Sequence, residues 1–176
     1  MLHTILNEQH LANVLAQALE TCRHRLFIAT ANVKDTRLPG GSADRSATGV
    51  FDLLAGLAER GVEVRLLHSA VPSGPFLRRL SGGTPAGMTM RRCPRMHAKA
   101  VIADARLMYL GSANLTGAGL GAKSPTRRNF EVGIWTDDTS LIDPVADMLE
   151  AVWSGQYCKE CGRREYCPVP LEEPDL

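Results

Sequence analysis

A mixed β-sheet flanked by helices, in the α/β class, is predicted by three features of this sequence. Segments with helical apolar spacing alternate with short apolar runs that suit buried strands. Clusters of Gly, Pro and Ser separate them, and no internal repeat is present. The length, 176 residues, fits a single domain able to bury one core.

Leu11, Val14, Leu15, Ala18 and Leu19 recur at helical spacing and predict a helix over 10–19, followed by the buried strand Leu26-Phe27-Ile28-Ala29. Residues 32–48 hold Pro39, Gly40, Gly41 and Ser42 among charged neighbours and read as a long loop, a length that often carries function. Phe51, Leu54, Leu57 and Ala58 restore helical spacing over 50–58, and Gly61 stops that helix before a strand over 62–67. Ser73-Gly74-Pro75 opens a short helix through Leu80, and Ser81-Gly82-Gly83-Thr84-Pro85 is a turn-rich connector. Strands are expected at Ala100-Val101-Ile102-Ala103 and over 107–110. Gly117, Gly119, Gly121 and Pro125 mark a further loop, 129–136 a strand and 142–153 a helix.

The formal net charge of +1 hides local asymmetry. Arg78-Arg79, Arg91-Arg92 with Arg95, Arg127-Arg128 and Arg163-Arg164 are basic clusters of the kind that favour polyanions. Arg91 and Arg92 are the substrate-binding candidates by position, whereas Arg78-Arg79 reads equally well as a solvated face. No stretch approaches the roughly 18 apolar residues of a membrane-spanning helix, and Asp52 interrupts the best central run. Asn7, Glu8, Gln9, His10 and Glu20 depart from the order of a signal peptide, and Leu19-Glu20-Thr21-Cys22 fits a lipoprotein cleavage site poorly. A cytoplasmic protein with no membrane partner is expected.

The residues that carry chemistry lie between His97 and Asn114. A neutral imidazole is a nucleophile or proton carrier near pH 7, and an ammonium two residues away can hold a phosphate's charge. The apolar run after Lys99 makes this stretch a strand, so alternation places His97 and Lys99 on one face, toward one substrate. Gly111-Ser112-Ala113-Asn114-Leu115-Thr116, after the next strand, supplies donors suited to phosphate oxygens. His97-x-Lys99, four residues, Asp104, six residues, Gly111-Ser112-x-Asn114 resembles the signature of the phospholipase D superfamily at every fixed position.

The resemblance implies a phospholipase D-like fold and phosphodiester chemistry. One His97 would attack phosphorus and form a phosphohistidine while a second protonates the leaving oxygen. Lys99, Asn114 and Ser112 would hold the charge on the five-coordinate phosphorus, so no cofactor is needed for the cleavage itself. Asp104 and Gly111 fall to the structural part of the motif, since seven extended residues separate Asp104 from His97 by roughly 20 Å or more. Glu131 matches the acidic residue that follows the signature in small nucleases of the superfamily, and is expected to fix the His97 tautomer. His3, His10, His24 and His68 have no lysine two places on. The superfamily builds one site from two motif copies, so this single-copy chain is expected to form a two-fold homodimer.

A second signal lies in the C-terminal segment. Cys158-x-x-Cys161, five residues, Cys167-Pro168 has metal-ligand spacing, and in a reducing compartment clustered cysteines are metal ligands more often than disulfides. The fourth ligand must come from elsewhere, with Cys22 placed in the set and Cys93 and His24 the alternatives. The pattern resembles the cysteine tail of some DNA-processing nucleases, in which one distant and three close cysteines hold a four-iron four-sulfur cluster; zinc fits the spacing almost as well. Residues 1–155 are thus expected to form the catalytic domain and 156–176 a Cys-rich metal-binding tail.

Phosphodiester hydrolysis in nucleic acid, DNA or RNA, is the function these features favour. Phospholipid hydrolysis or headgroup transfer shares the motif, but no strongly amphipathic basic helix supports it. A nucleic-acid-binding subunit of a larger DNA-processing machine is the third reading, the cysteine tail then docking protein partners.

Overall fold

The apolar runs pair across the chain into one sheet. In the computed structural model, which describes residues 1–37 and 49–167, the sheet has seven strands. Its order is β1 (Leu2–Leu6), β7 (Val132–Thr136), β6 (Leu107–Gly111), β5 (Ala100–Ala103), β2 (Arg25–Thr30), β3 (Glu63–His68) and β4 (Met88–Arg92). β2, β3 and β4 run parallel, and every other neighbouring pair is antiparallel. The mixed sheet expected from the alternating helical and strand segments is therefore present.

Period-two alternation divides the core between the two faces of the sheet. Leu26 and Ile28 of β2 face one side with Val64, Leu66, Met88, Met90, Val101 and Tyr109. Helices α1 (Ala16–Thr21), α2 (Val50–Glu59) and α3 (Gly74–Leu80) cover that side, with Leu54, Leu57 and Phe76 fully buried. Phe27 and Ala29 face the other side with Ile102 and Met108, beneath Ile142, Leu149 and Trp153 of α4 (Thr139–Trp153). Phe27 and Trp153 meet edge to face at 5.4 Å.

The segment expected as the first helix begins as a π-helical turn over His10–Leu15 before α1 continues it. Most of the loop expected over 32–48 lies outside the described residues. The last strand starts at Val132, not at Asn129: the Asn129 N–H instead donates to the Ala118 carbonyl and ties the preceding loop down. Strands β1 and β4 were not predicted by the sequence pattern.

Asp104 lies at the turn after β5. It adopts φ +53°, a region open to short polar side chains. Its carboxylate accepts the backbone N–H groups of Arg23, His24 and Arg25, each at 2.8 Å. Cys22 Sγ donates to the same carboxylate at 3.5 Å. Burial opposes charge on Asp104, yet the N–H donors from Arg25, Arg23 and His24 outweigh it and hold the carboxyl below its usual value. The Cys22 thiol is pushed up to about 11, by burial first and then by the Asp104 charge.

Candidate functional site

The motif converges because antiparallel neighbours alternate direction. β2 and β6 finish, and β5 and β7 begin, at the same end of the sheet. The ends of β3 and β4, His68 and Arg92, register with Thr30 at that end too. Asp104 and Cys22 lie at the opposite end.

His97 and Lys99 occupy the extended lead-in to β5, where the Gly111 N–H donates to the Lys99 carbonyl at 3.0 Å. His97 is exposed. Lys99 Nζ donates to the His97 carbonyl at 2.9 Å and lies 3.3 Å from Nε2 and 3.4 Å from Nδ1 of the ring. Imidazole and ammonium therefore lie side by side, although the strand expected to carry them begins only at Ala100.

Asn114 is oriented by the end of β2. Its side-chain oxygen accepts the N–H groups of Ala31 and Asn32, each at 3.1 Å, and lies 3.3 Å from the Thr30 hydroxyl. The Thr30 hydroxyl in turn accepts the Leu115 N–H at 3.1 Å. This network assigns the amide oxygen and turns the NH2 group into the donor that remains for an anion.

Ser112 and Glu131 face each other. The Ser112 hydroxyl donates to the Glu131 carboxylate and accepts the Val132 N–H at 3.0 Å. Asn129 Nδ2 donates to the other carboxylate oxygen at 2.9 Å. Glu131 is only 8% exposed, and its N–H donates to the Asn7 side chain at 3.1 Å. The Glu131 carboxylate is thus held by Ser112 and Asn129, with no hydrogen bond to His97 among the described residues of the chain. Asn7, Asn129 and Thr30 are supports that sequence reasoning missed. Only Asn7, an Asn at φ +46°, left a trace, as a turn former.

Gly111 and Gly133 have a packing reason. They are cross-strand partners, and a Cβ on either would collide with the Tyr109 side chain. The buried Tyr109 hydroxyl accepts the Ala113 N–H at 3.1 Å, which fixes the turn between Ser112 and Asn114. Burial, with a smaller contribution from the Glu131 charge, pushes the phenol up to about 12, so it stays a neutral hydroxyl.

The two arginines expected to bind substrate diverge. Arg91 donates to the Trp153 carbonyl at 2.8 Å and stacks 5.0 Å from the centre of its ring, so it fastens α4 to β4 and does not face the His97 site. Arg92 Nε donates to the Ser69 carbonyl at 3.1 Å, at the active end of the sheet.

Cys22 is a correction to the expected metal set. It sits under Asp104 at the far end, as does the His24 backbone, and neither reaches the C-terminal cysteines. Cys93, just past the end of β4, is the distant cysteine that lies beside them: it lines one small pocket with Pro94, Arg95, Cys158, Cys161, Arg163, Arg164 and Cys167. The thiols surround this pocket without closing on a point. Among the described residues no three His, Cys, Asp or Glu side chains are gathered to hold an ion. A larger cleft of about 380 Å³ joins this pocket to the active site, lined by His97, Met96, Met148, Val152, Tyr157 and Cys158 among others.

The family model described as "Cardiolipin synthase, PLD-like domain" matches residues 15–153. Over 178 aligned residues the chain is 29% identical to cardiolipin synthase A of Erwinia tasmaniensis, covering 90% of this chain and 33% of that protein, about a third of its length. The structure superposes on NucT from Helicobacter pylori with TM-score 0.63 and 17% identity, over 85% of this chain and 93% of that one. Nuc, a phospholipase D family member from Salmonella typhimurium, superposes with TM-score 0.63 and 16% identity, over 88% and 94% of the two chains. At these identities the likeness to the solved structures is one of fold.

Proposed function

Because the chain belongs to the phospholipase D-like family, we propose that it is a phosphodiesterase that cuts nucleic acid through a phosphohistidine formed on His97. The observation that carries the reading is the pairing of exposed His97 with half-buried Lys99 at the sheet end where backbone N–H groups take the Asn114 side-chain oxygen and leave its NH2 group to donate. A ring nitrogen of His97 attacks phosphorus: the N–P bond forms, the P–O bond to the leaving group breaks, and a second imidazole gives that oxygen its proton. The same imidazole then takes a proton from water, whose oxygen displaces His97. Lys99 and the Asn114 NH2 hold the charge that develops on the phosphoryl oxygens. No step of this scheme calls for a metal.

The second imidazole comes from a second copy of the chain. His10 and His68 are buried, burial lowering the His68 pKa and keeping that ring neutral. His24 is at the far end beside Asp104, and His3 is on edge strand β1. Next to Glu131, Phe130 is 96% exposed, and Val132 and its cross-strand partner Leu6 are also bare. An apolar surface of this kind beside an incomplete site suits a two-fold interface. Across it, Glu131 and Ser112 would face the partner's His97.

Of the basic clusters, Arg92 at the His97 end of the sheet supports a polyanionic substrate, whereas Arg79 pairs with Asp52 and Arg128 with Glu8. The cleft lined by Met96, Met148, Val152 and Tyr157 beside His97 favours a second reading, in which an acyl chain lies there and the phosphodiester belongs to a phospholipid. No helix among the described residues is long and apolar enough to cross a membrane. Purified protein should be incubated with labelled single- and double-stranded DNA, RNA and phospholipid vesicles, with and without EDTA, beside His97→Ala. Cleavage of nucleic acid that persists in EDTA and vanishes in His97→Ala is the expected result. Turnover of vesicles alone would transfer the site to lipid, and a strict magnesium requirement would overturn the phosphohistidine mechanism.

A further inference from the structure

We propose that Cys93, Cys158, Cys161 and Cys167 form a four-thiolate site for one zinc ion, and that this site clamps the His97-bearing segment to the C-terminal tail. The catalytic scheme uses none of these residues, yet all four line the same small pocket. Three come from a short run of tight turns, in which the N–H groups of Cys158, Cys161, Arg164 and Cys167 each donate to a carbonyl three residues back. In turns of this kind residues three apart project on the same side, which suits Cys158, Cys161 and Cys167. Cys93 arrives from the sheet: its N–H donates to His68 and its carbonyl accepts the Met96 N–H at 2.8 Å, one residue before His97.

The surroundings match a thiolate centre. Arg95, Arg163 and Arg164 line the pocket, and Arg95 Nη1 approaches Cys161 Sγ at 3.7 Å. Four thiolates around Zn²⁺ carry a net charge of about −2, which guanidinium groups offset. Arg163 Nη1 also reaches the Pro94 carbonyl at 3.4 Å, so the tail already touches the segment it would fasten. The space between the thiols admits a single ion. As they stand, the thiols are not drawn into a ligand set. The ion itself closes the site: four Zn–S bonds form as the S–H protons leave to solvent, and binding free energy becomes folding free energy.

Placement gives the site a consequence for the cleft. Cys93, Cys158 and Cys161 also line the cleft that contains His97, together with Tyr157. A closed metal centre would fix that wall and the four-residue path from Cys93 to His97.

The test uses the full chain expressed in zinc-containing medium, purified under reducing conditions, and reads metal and stability instead of turnover. Elemental analysis should find about one zinc per chain, and removing it with a strong chelator should lower Tm, which added zinc restores. Cobalt(II) loaded in place of zinc should give the intense sulfur-to-metal absorption and visible bands of a tetrahedral thiolate site. Cys93→Ser should lose the bound zinc and weaken the cobalt spectrum, whereas Cys22→Ser should keep both. Absence of metal with a Tm indifferent to chelator, or disulfides among these cysteines in the reduced preparation, would overturn the site. About four irons per chain would overturn the single ion. Loss of metal in Cys22→Ser but not in Cys93→Ser would overturn the ligand assignment. None of these readouts depends on phosphodiester cleavage, so the site stands or falls separately from the catalytic reading.

Discussion

Two residues of one motif, His97 and Asp104, answer to different physics. His97 is exposed and bonded mainly to Lys99, so little folding energy depends on it. His97→Ala should fold with unchanged Tm and lose about 1000-fold or more in turnover, measured beside urea denaturation of the same preparation. Asp104 is the reverse. Its carboxylate satisfies three backbone N–H groups at the start of β2, and removing it leaves those donors short of partners. Asp104→Ala should cost about 3 kcal/mol of stability, with kcat of the folded fraction unchanged. Because folding depresses the Asp104 pKa, its contribution is complete above the unfolded value of 3.8 and fades as pH falls through the lower folded value. The stability gap between wild type and Asp104→Asn should therefore narrow on acidification from pH 6 toward about pH 2 in chemical denaturation; a constant gap would contradict the role. Spacing along the strand was enough to separate these two residues, because 3.3 Å per residue keeps Asp104 from ever meeting His97.

The elements that escaped prediction carry weak local signals. β1 leaves Leu2, His3, Thr4 and Leu6 exposed, and its partner β7 lies more than a hundred residues away, so nothing nearby marks it as a strand. β4 does alternate, with Met88 and Met90 inward, but its last residues are Arg91 and Arg92 and read first as a charge cluster. That misreading reached the site. Arg91 lies along Trp153 and donates to its carbonyl, an attachment only the fold reveals because β4 and α4 are distant in sequence. Arg91→Ala should lower stability by about 1–2 kcal/mol and leave the salt dependence of nucleic-acid binding unchanged. Arg92→Ala should instead reduce the slope of log affinity against log salt by about one unit, if Arg92 contacts a phosphate. Electrophoretic binding assays across a salt series distinguish the two. The motif strands were legible because their apolar runs and turn residues are contiguous, whereas the Ser112–Glu131 contact and the Cys93 position depend on sheet order.

At the scale of the whole molecule, the proposed mechanism needs two imidazoles, and this chain brings one motif copy and one exposed imidazole to the His97 end of the sheet. The second imidazole has a measurable signature in mixed populations. When wild-type and His97→Ala chains are unfolded together and refolded at random, pairs with two intact imidazoles form in proportion to the square of the wild-type fraction f. Only these pairs have both nucleophile and acid, and neither group substitutes for the other in the in-line displacement. An equal mixture should retain about a quarter of the activity of the same total amount of wild-type chain. A self-sufficient protomer would follow f itself and retain about half, which would contradict the shared site. Replacing Phe130 with a charged residue supplies the structural counterpart. Phe130→Asp should shift sedimentation toward the monomer and depress turnover at low protein concentration, where Tm of the monomer fold stays close to wild type because the side chain is already exposed. Raising the concentration should recover part of the lost turnover by mass action, a rescue that damage inside the protomer would not allow.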